Sequence, residues 1–529
     1  MCGIFCYTGN HKELTTLYDN FKRIKQRGPD FDTLINVDNV FLGFHRLSIN
    51  DLSELGNQPF SNNNIYLICN GEIYNHETLK NNYDIKTKSN SDCEVILYMY
   101  QKLGFEETCR QLDGVFALII YDSNTKKLYI GRDPYGVRPL FFGFNEYEEL
   151  FLSSELKGIH DLTIYKKQFK PGNSLEYDLT NKNFIYRNYY DFSLKIDRLR
   201  DNNLIMIGIK NRLINAVKKR LLSDRPIGSL LSGGLDSSLI SGIISKIYKE
   251  QKKGKLSTFA IGIKGGTDLE YAQKVAVHIG SDHHTIECTE EDFLKAIPEV
   301  IYSIESYDIT TVRASVGNYL VGKYIKENTN ITVVFNGDGS DEQSGYYYLR
   351  NAPNKEEFND ECVKLLREIH FFDGLRSDRS ISSKWSLEAR TPFLDKEFVK
   401  YYMNIDPILK MYDDTNKLPE KYLLRKSFES ENIIPSEVLW RPKEAFSDGC
   451  SSEKRSWHKI IQEHVDGIIT DKEFIDNKDK YRFNPPLTKE SYWYRKLFDE
   501  FYPNSSNVIP HFWLPNWCEI VDPSARELK

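Results

Sequence analysis

Beyond about residue 200 the sequence alternates short apolar runs with longer stretches of helical periodicity, the runs being Ile227 to Leu231, Leu256 to Ile263 and Ile331 to Phe335. Such alternation predicts a parallel sheet with crossover helices, a doubly wound α/β unit. The first run leads directly into Ser232-Gly233-Gly234-Leu235-Asp236-Ser237-Ser238, which opens an apolar-periodic helix. Strand, glycine loop and helix N-terminus together form an anion cradle. The glycines let the backbone approach a phosphate, the hydroxyls of Ser232, Ser237 and Ser238 add donors, and Asp236 can hold a magnesium ion. With no lysine in the loop, it is not a Walker A motif.

Up to about residue 190 the pattern is different. Short runs of period two, such as Gly43 to Ile49 and Val115 to Tyr121, lie between turns and predict antiparallel sheets. A helical stretch from Asp92 to Tyr100 sits among them, with Asp92 at the position of an N-terminal cap. A charged stretch near 191 to 203, carrying Asp191, Lys195, Asp197, Arg198, Arg200 and Asp201, marks the boundary between the two patterns. Two domains follow, residues 2–190 and 204–529, which suits a chain of 529 residues.

Composition excludes several function classes. A formal net charge of -6 gives no global positive field for nucleic acid or anionic membrane. The basic cluster Lys218, Lys219, Arg220 reads as a solvated helix end, beside the apolar stripe of Ala216, Val217, Leu221 and Leu222. Nine scattered cysteines without a CxxC pair suggest neither disulfides nor zinc, so a cytoplasmic, reducing setting is expected. No apolar segment is long enough for a membrane span, and the N-terminus has no room for a signal-peptide apolar region. His283-His284 lacks further ligands at metal spacing and is expected to end a βα unit.

Cys2 directly follows Met1, so removal of the methionine would leave one residue carrying both a thiol and a free α-amine. With a pKa near 7.7 to 8.0, that amine can take the thiol proton near neutral pH. Taken alone, Met1-Cys2 is an ordinary coincidence. Cys2-Gly3-Ile4 is accompanied, however, by Arg27-Gly28-Pro29-Asp30, His45-Arg46-Leu47-Ser48-Ile49, Asn70-Gly71-Glu72-Ile73-Tyr74-Asn75 and Ser91-Asp92-Cys93-Glu94. In order and spacing these segments resemble class II glutamine amidotransferases. The resemblance implies an N-terminal αββα sandwich and assigns glutamine contacts to Arg46, Leu47, Ser48, Ile49, Asn50, Asn70, Gly71, Glu72 and Asp92. Chemically, Arg46 offers a fork for the substrate carboxylate, Glu72 and Asp92 are anions for its ammonium, and Asn70 with the Gly71 amide can stabilise an oxyanion. Asn50 stands where that family usually has Asp or a similar residue.

The loop from Ser232 to Ser238 resembles the pyrophosphate loop of ATP pyrophosphatases, which cleave between the α and β phosphates. That likeness implies ATP contacts at Leu230, Ser232, Gly233, Gly234, Asp236, Ser237, Ile261, Asn336 and Gly337. Segments 306–315, 388–395, 440–449, 510–517 and 522–526 are similar to those of glutamine-dependent asparagine synthetases. By this likeness Arg313 and Lys443 neutralise phosphate charge, Asp341 joins Asp236 at magnesium, and Asp338 is a catalytic carboxylate. The implied substrates are glutamine, aspartate and ATP, with Mg2+ as cofactor; a homodimer is the assembly left open. A β-lactam synthetase-like ligase would not need the N-terminal thiol. A catalytically weakened regulatory homologue is the other alternative, because Asn336-Gly337-Asp338-Gly339 stands where the family usually reads Ser-Gly-Glu-Gly.

Overall fold

The computed structural model describes residues 1–192, 199–372, 377–412, 418–452 and 454–524. Part of the predicted boundary, including Lys195, Asp197 and Arg198, lies outside the described residues, as do Ala525 and Arg526. The first part of the chain forms twelve strands: β1 (Gly3–Thr8), β2 (Phe31–Val37), β3 (Val40–Arg46), β4 (Phe60–Asn62), β5 (Ile65–Ile73), β6 (Gly114–Asp122), β7 (Lys127–Arg132), β8 (Phe141–Phe144), β9 (Leu150–Ser153), β10 (Tyr165–Gln168), β11 (Asn173–Asp178) and β12 (Phe184–Asn188). They make two antiparallel six-stranded sheets, ordered β10-β8-β9-β1-β3-β2 and β12-β11-β7-β6-β5-β4.

Strand alternation explains how the layers stack. Ile4 and Cys6 of β1 face Ala117, Ile119 and Tyr121 of β6 in the core between the sheets. Phe5 and Tyr7 point the other way, onto Leu17 and Phe21 of the helix Leu14–Lys22. On the second sheet Phe116, Leu118 and Ile120 pack outward beneath Ile96 and Met99 of the helix Val95–Leu103. One residue of register slip would exchange the inner and outer sets, so the period-two pattern fixes the αββα layering.

The second part builds a parallel sheet from β13 (Ile227–Leu230), β14 (Ser257–Ile263), β15 (Asp282–Cys288), β16 (Val333–Phe335) and β17 (Glu388–Arg390), ordered β15-β14-β13-β16-β17. Its helices cover both faces. In Leu235–Glu250, twelve of sixteen residues are buried, which explains an apolar pattern too broad for a surface helix. Among the described residues, no helix is long and apolar enough to cross a membrane.

Three local expectations are corrected. The helix expected from Asp92 starts at Val95, and the Asp92 carboxylate instead accepts the Ile73 backbone N–H at 2.6 Å. A free β5 amide thereby outcompetes the cap. His283 and His284 do not end a βα unit: they lie within the edge strand β15, opposite Thr258 and Phe259, where His284 stacks on Phe259 at 4.8 Å. Arg220 is not solvated; it is 1% exposed and donates to Asp395 at 2.6 Å.

The two parts share a buried, charged seam. Arg27 reaches Glu155 at 2.9 Å and Asp378 at 3.4 Å, and Arg138 reaches Asp378 at 3.1 Å and Glu388 at 3.5 Å. Arg390 donates to Glu388 at 2.7 Å and to the carbonyls of Arg220 and Leu222, and it lies 3.5 Å from Glu72 of β5. Burial disfavours the Glu388 charge, but Arg390 and Arg138 outweigh it and hold the carboxyl down to about 2. Apolar packing continues across the seam from Leu156 and Ile159 to Ile301 and Ile304.

Removing one partner of such a network strands the other charge in the interior. Arg390→Met is therefore expected to destabilise the protein by about 3–5 kcal/mol, read from the shift of its urea unfolding midpoint. A midpoint matching the parent's would mean that the seam charges are not coupled as described.

Candidate active sites

Cys2 lies at the start of β1, where β3, β5 and the loop after β3 converge. Its backbone N–H donates to Asn70 Oδ1 at 3.1 Å, its carbonyl accepts from Arg27 Nε at 3.0 Å, and its thiol donates to the Leu47 carbonyl at 3.8 Å. Burial pushes the thiol up to about 11, against the nearby N-terminal charge. At neutral pH the thiol is protonated and must lose its proton to a base before it can attack. Asn70 is fully buried in β5, and its Nδ2 has no partner, leaving an amide donor beside the nucleophile.

The predicted glutamine-contact residues do come together here. Asn50 Nδ2 donates to Glu72 at 2.6 Å and to Asp92 at 3.3 Å, so one amide bridges two buried carboxylates. Burial raises both carboxyls; Glu388 and Asp92 push Glu72 further up. The segment after Arg46 is clamped from two sides. Ser48 N–H donates to Asp30 at 2.8 Å, while the Ser48 and Ile49 carbonyls accept from Arg225 at 2.9 Å and from the Asp224 N–H at 3.0 Å. Leu47 and Ile49 are buried in the apolar cluster of the second part. A Cβ at Gly71 would fall 2.6 Å from the Val115 carbonyl, so strand pairing alone accounts for that glycine.

Arg46 differs from expectation. Instead of standing open as a fork, it donates to the Ser53 carbonyl at 2.7 Å, to Asn57 Oδ1 at 2.8 Å and to the Asp51 carbonyl. The turn 51–57 brings these oxygens within reach, and the guanidinium satisfies them.

The second site is a cavity at the carboxyl ends of β13, β14 and β16, the place where open parallel sheets collect ligands. It is lined by Leu230, Ser232, Gly234, Asp236, Ser237, Ile261, Asn336, Gly337, Asp338, Asp341 and Lys443, among others. The loop is cross-braced: Ser232 Oγ lies 3.0 Å from Ser237 Oγ and accepts the Gly234 N–H at 3.3 Å. Gly233 is turned away from the cavity. It has a φ of +76°, a Cβ there would fall 2.5 Å from the Ala272 nitrogen, and its carbonyl accepts from Arg441 at 3.1 Å. A Cβ on Gly337 would meet Asp236 Cβ at 2.8 Å, so this glycine lets two loops touch.

Asn336 and Asp338 form one unit. The Asp338 N–H donates to Asn336 Oδ1 at 3.0 Å, the Ser377 N–H reaches the Asp338 carboxylate at 3.4 Å, and Asn336 Nδ2 is buried without a partner. Asp236 and Asp341 are bridged by two lysines. Lys443 lies 2.7 Å from Asp341, and Lys421, which the motifs did not single out, lies 2.7 Å from each carboxylate. No sequence pattern surrounds Lys421, so only the fold reveals it. Asp268 was missed as well. Burial pushes its carboxyl up to about 7 even though Arg441 lies 2.9 Å away.

Arg313 is not brought to the cavity. On the helix Ile309–Asn328, Thr310, Ala314, Asn318 and Val321 present the lining face. Arg313 lies roughly a quarter-turn around, bidentate to Glu490 at 2.8 and 2.6 Å and paired with Asp522 at 2.8 Å. The helical period, rather than the motif, decides its direction. Among the described residues, no cluster of three or more His, Cys, Asp or Glu is arranged to hold a metal ion; the second site offers a carboxylate pair.

A glutamine amidotransferase domain model matches residues 1–203, and an asparagine synthase model matches residues 208–360 and 344–519. The glutamine-hydrolysing asparagine synthetase of Gallus gallus is 42% identical over 558 residues, covering 100% of this chain and 99% of that protein. Those of Homo sapiens and Bos taurus are each 42% identical over 557 residues, covering 100% of this chain and 98% of theirs. The two domain models fall on the two sites in order, and the kinship runs from end to end: the chain belongs to the family of glutamine-hydrolysing asparagine synthetases.

Proposed function

We propose that this chain makes asparagine from aspartate, glutamine and ATP, with a glutaminase domain at 2–190 and a synthetase domain at 204–529. The observation that carries this reading is the coexistence in one chain of a half-buried thiol at Cys2 beside an unpartnered amide and a phosphate-type loop opposite a cavity carboxylate. At the first site, the α-amine of a Cys2 freed of Met1 takes the thiol proton, and sulfur attacks the glutamine amide carbon. Asn70 Nδ2 donates to the developing oxyanion, ammonia leaves, and water releases glutamate from the thioester. Glu72 and Asp92 attract the substrate ammonium. The turn contacts of Arg46 use Nη1 and one Nη2 hydrogen, which leaves Nε and the other Nη2 hydrogen for the substrate carboxylate.

At the second site the β-carboxylate of aspartate attacks the α-phosphorus of ATP, and pyrophosphate leaves into the loop. Ammonia then adds to the acyl-adenylate carbonyl, Asp338 accepts a proton, and AMP departs. Lys443, partly exposed above the loop, supplies positive charge to the phosphates. Asp236 and Asp341 fit a magnesium ion, since both reach one ammonium at 2.7 Å and offer hard oxygens, and this ion characteristically combines one or two carboxylates with substrate phosphates. When bound it would neutralise phosphate charge. All nine cysteines are free thiols, which supports a cytoplasmic setting.

Mass-resolved products test the assignment: asparagine, glutamate, AMP and pyrophosphate are expected, and ADP with phosphate would overturn it. Two substitutions divide the labour. Cys2→Ala should abolish glutamine-dependent synthesis while ammonia-dependent synthesis stays within about twofold of the parent, because the nucleophile acts in only one half-reaction. Loss of both activities in a folded variant would refute separate sites.

Asp338→Asn should slow asparagine formation at saturating ammonia by about a hundredfold or more, the usual scale for a general base. Asp338→Glu should match or exceed the parent. Asn336 matters to this outcome, since its side chain holds the Asp338 amide at 3.0 Å. An Asp338→Asn enzyme as fast as the parent would remove Asp338 from the chemistry.

A further inference from the structure

We propose that Lys421 is the resident cation of the nucleotide site, a positioning residue that holds Asp236 and Asp341 as one unit and leaves Lys443 free to follow the phosphates. The inference rests on the nucleotide reading above. Lys421 Nζ lies 2.8 and 2.7 Å from the two Asp236 oxygens and 2.7 Å from Asp341 Oδ1. Its side chain is 2% exposed, whereas that of Lys443 is 24% exposed and lies 3.9 Å from Asp236. One ammonium is enclosed between both carboxylates; the other is partly exposed and held closely by Asp341 alone, at 2.7 Å.

The position is built for that enclosure. Lys421 has a φ of +57°, the left-handed region that a lysine rarely occupies, immediately before the helix Tyr422–Phe428. Gly345 makes room for it: a Cβ there would fall 2.0 Å from Lys421 Cε and 2.7 Å from Nζ. With a φ of -106°, Gly345 is not needed for backbone conformation, so space is what the glycine supplies. Ser340 Oγ donates to Asp236 Oδ1 at 2.8 Å and steadies the same carboxylate.

Charge counting gives a consequence that simple loss of structure would not. Asp236, Asp341, Lys421 and Lys443 form a quartet that sums to zero, in a cavity that Asp338, Glu342 and Glu444 also line. Removing Lys421 leaves the site one unit more negative. A bare divalent cation would then bind more tightly and Mg-ATP, a net anion, more weakly.

The test uses the full-length protein, with Mn2+ alone followed by electron paramagnetic resonance and Mg-ATP followed by calorimetry. In Lys421→Met the Mn2+ Kd should fall and the Mg-ATP Kd should rise, each by about tenfold or more, the scale of one unit charge at this range. Gly345→Ala keeps the charges but crowds Lys421 and, at 2.5 Å, Asp341 Oδ1, and should weaken Mg-ATP binding by a smaller factor than Lys421→Met. If a folded Lys421→Met variant bound both ligands as the parent does, or both more weakly, this inference alone would fail. A parent that does not bind Mg-ATP would overturn the nucleotide reading and the inference with it.

Discussion

The structure depends on charge carried into its interior and matched there. Arg27, Arg138 and Arg390 are fully buried, and their carboxylate partners come from both parts of the chain. Desolvating any one of these ions alone costs several kcal/mol, so the partners must be in place together. Both ends of the chemistry hang from this seam. Cys2 is held through its carbonyl by Arg27, which also grips Asp378; Asn336 donates its N–H to the carbonyl of Arg390, which also faces Glu72. Domain docking and site geometry are therefore one problem, solved by the same guanidinium groups.

Much of the architecture was legible because it follows from periodicity. The period-two runs sort Ile4 and Cys6 from Phe5 and Tyr7, and the apolar runs at 227, 256 and 331 are three strands of the parallel sheet. The other two were not legible. Strand β15, Asp282–Cys288, is a half-exposed edge whose apolar residues are Ile286 and Cys288, and β17, Glu388–Arg390, is three residues long and charged at both ends. Neither is apolar enough to show in a hydropathy pattern, since β17 is stabilised by ion pairs rather than by hydrophobic burial.

The sites were legible where backbone chemistry dictates residue type. Gly337 and the serines of the 232–238 loop can be read locally because only small or hydroxylated residues suit that packing. Side-chain direction was less accessible. Arg313 shares a segment with Thr310 and Ala314, yet the helical period turns it toward Glu490 and Asp522. Arg46 points at the expected place but spends most of its donors on a nearby turn. Lys421 belongs to no motif, and its importance appears only when residues 185 positions apart in the chain meet.

The two sites treat charge in opposite ways, and the difference follows their proposed substrates. Beside Cys2, Glu72 and Asp92 share a neutral amide from Asn50, Arg390 lies 3.5 Å from Glu72, and burial drives both carboxyls upward, so a cation placed against them would favour their ionised forms. An ammonium is such a cation. Around Asp236 and Asp341 two lysines match the two carboxylates, and the Asp341 carboxyl is held far below its ordinary value by Lys421 and Lys443 despite its burial. Phosphates entering there meet two ammoniums already seated beside the carboxylates. Exchanging the two arrangements would defeat both sites: a lysine at Asn50 would cancel the attraction for an ammonium, and an amide at Lys421 would leave two carboxylates facing incoming phosphates. Shape alone does not require this sorting, because both sites sit on the same buried seam; the pairing of buried charges determines which ligand each can accept.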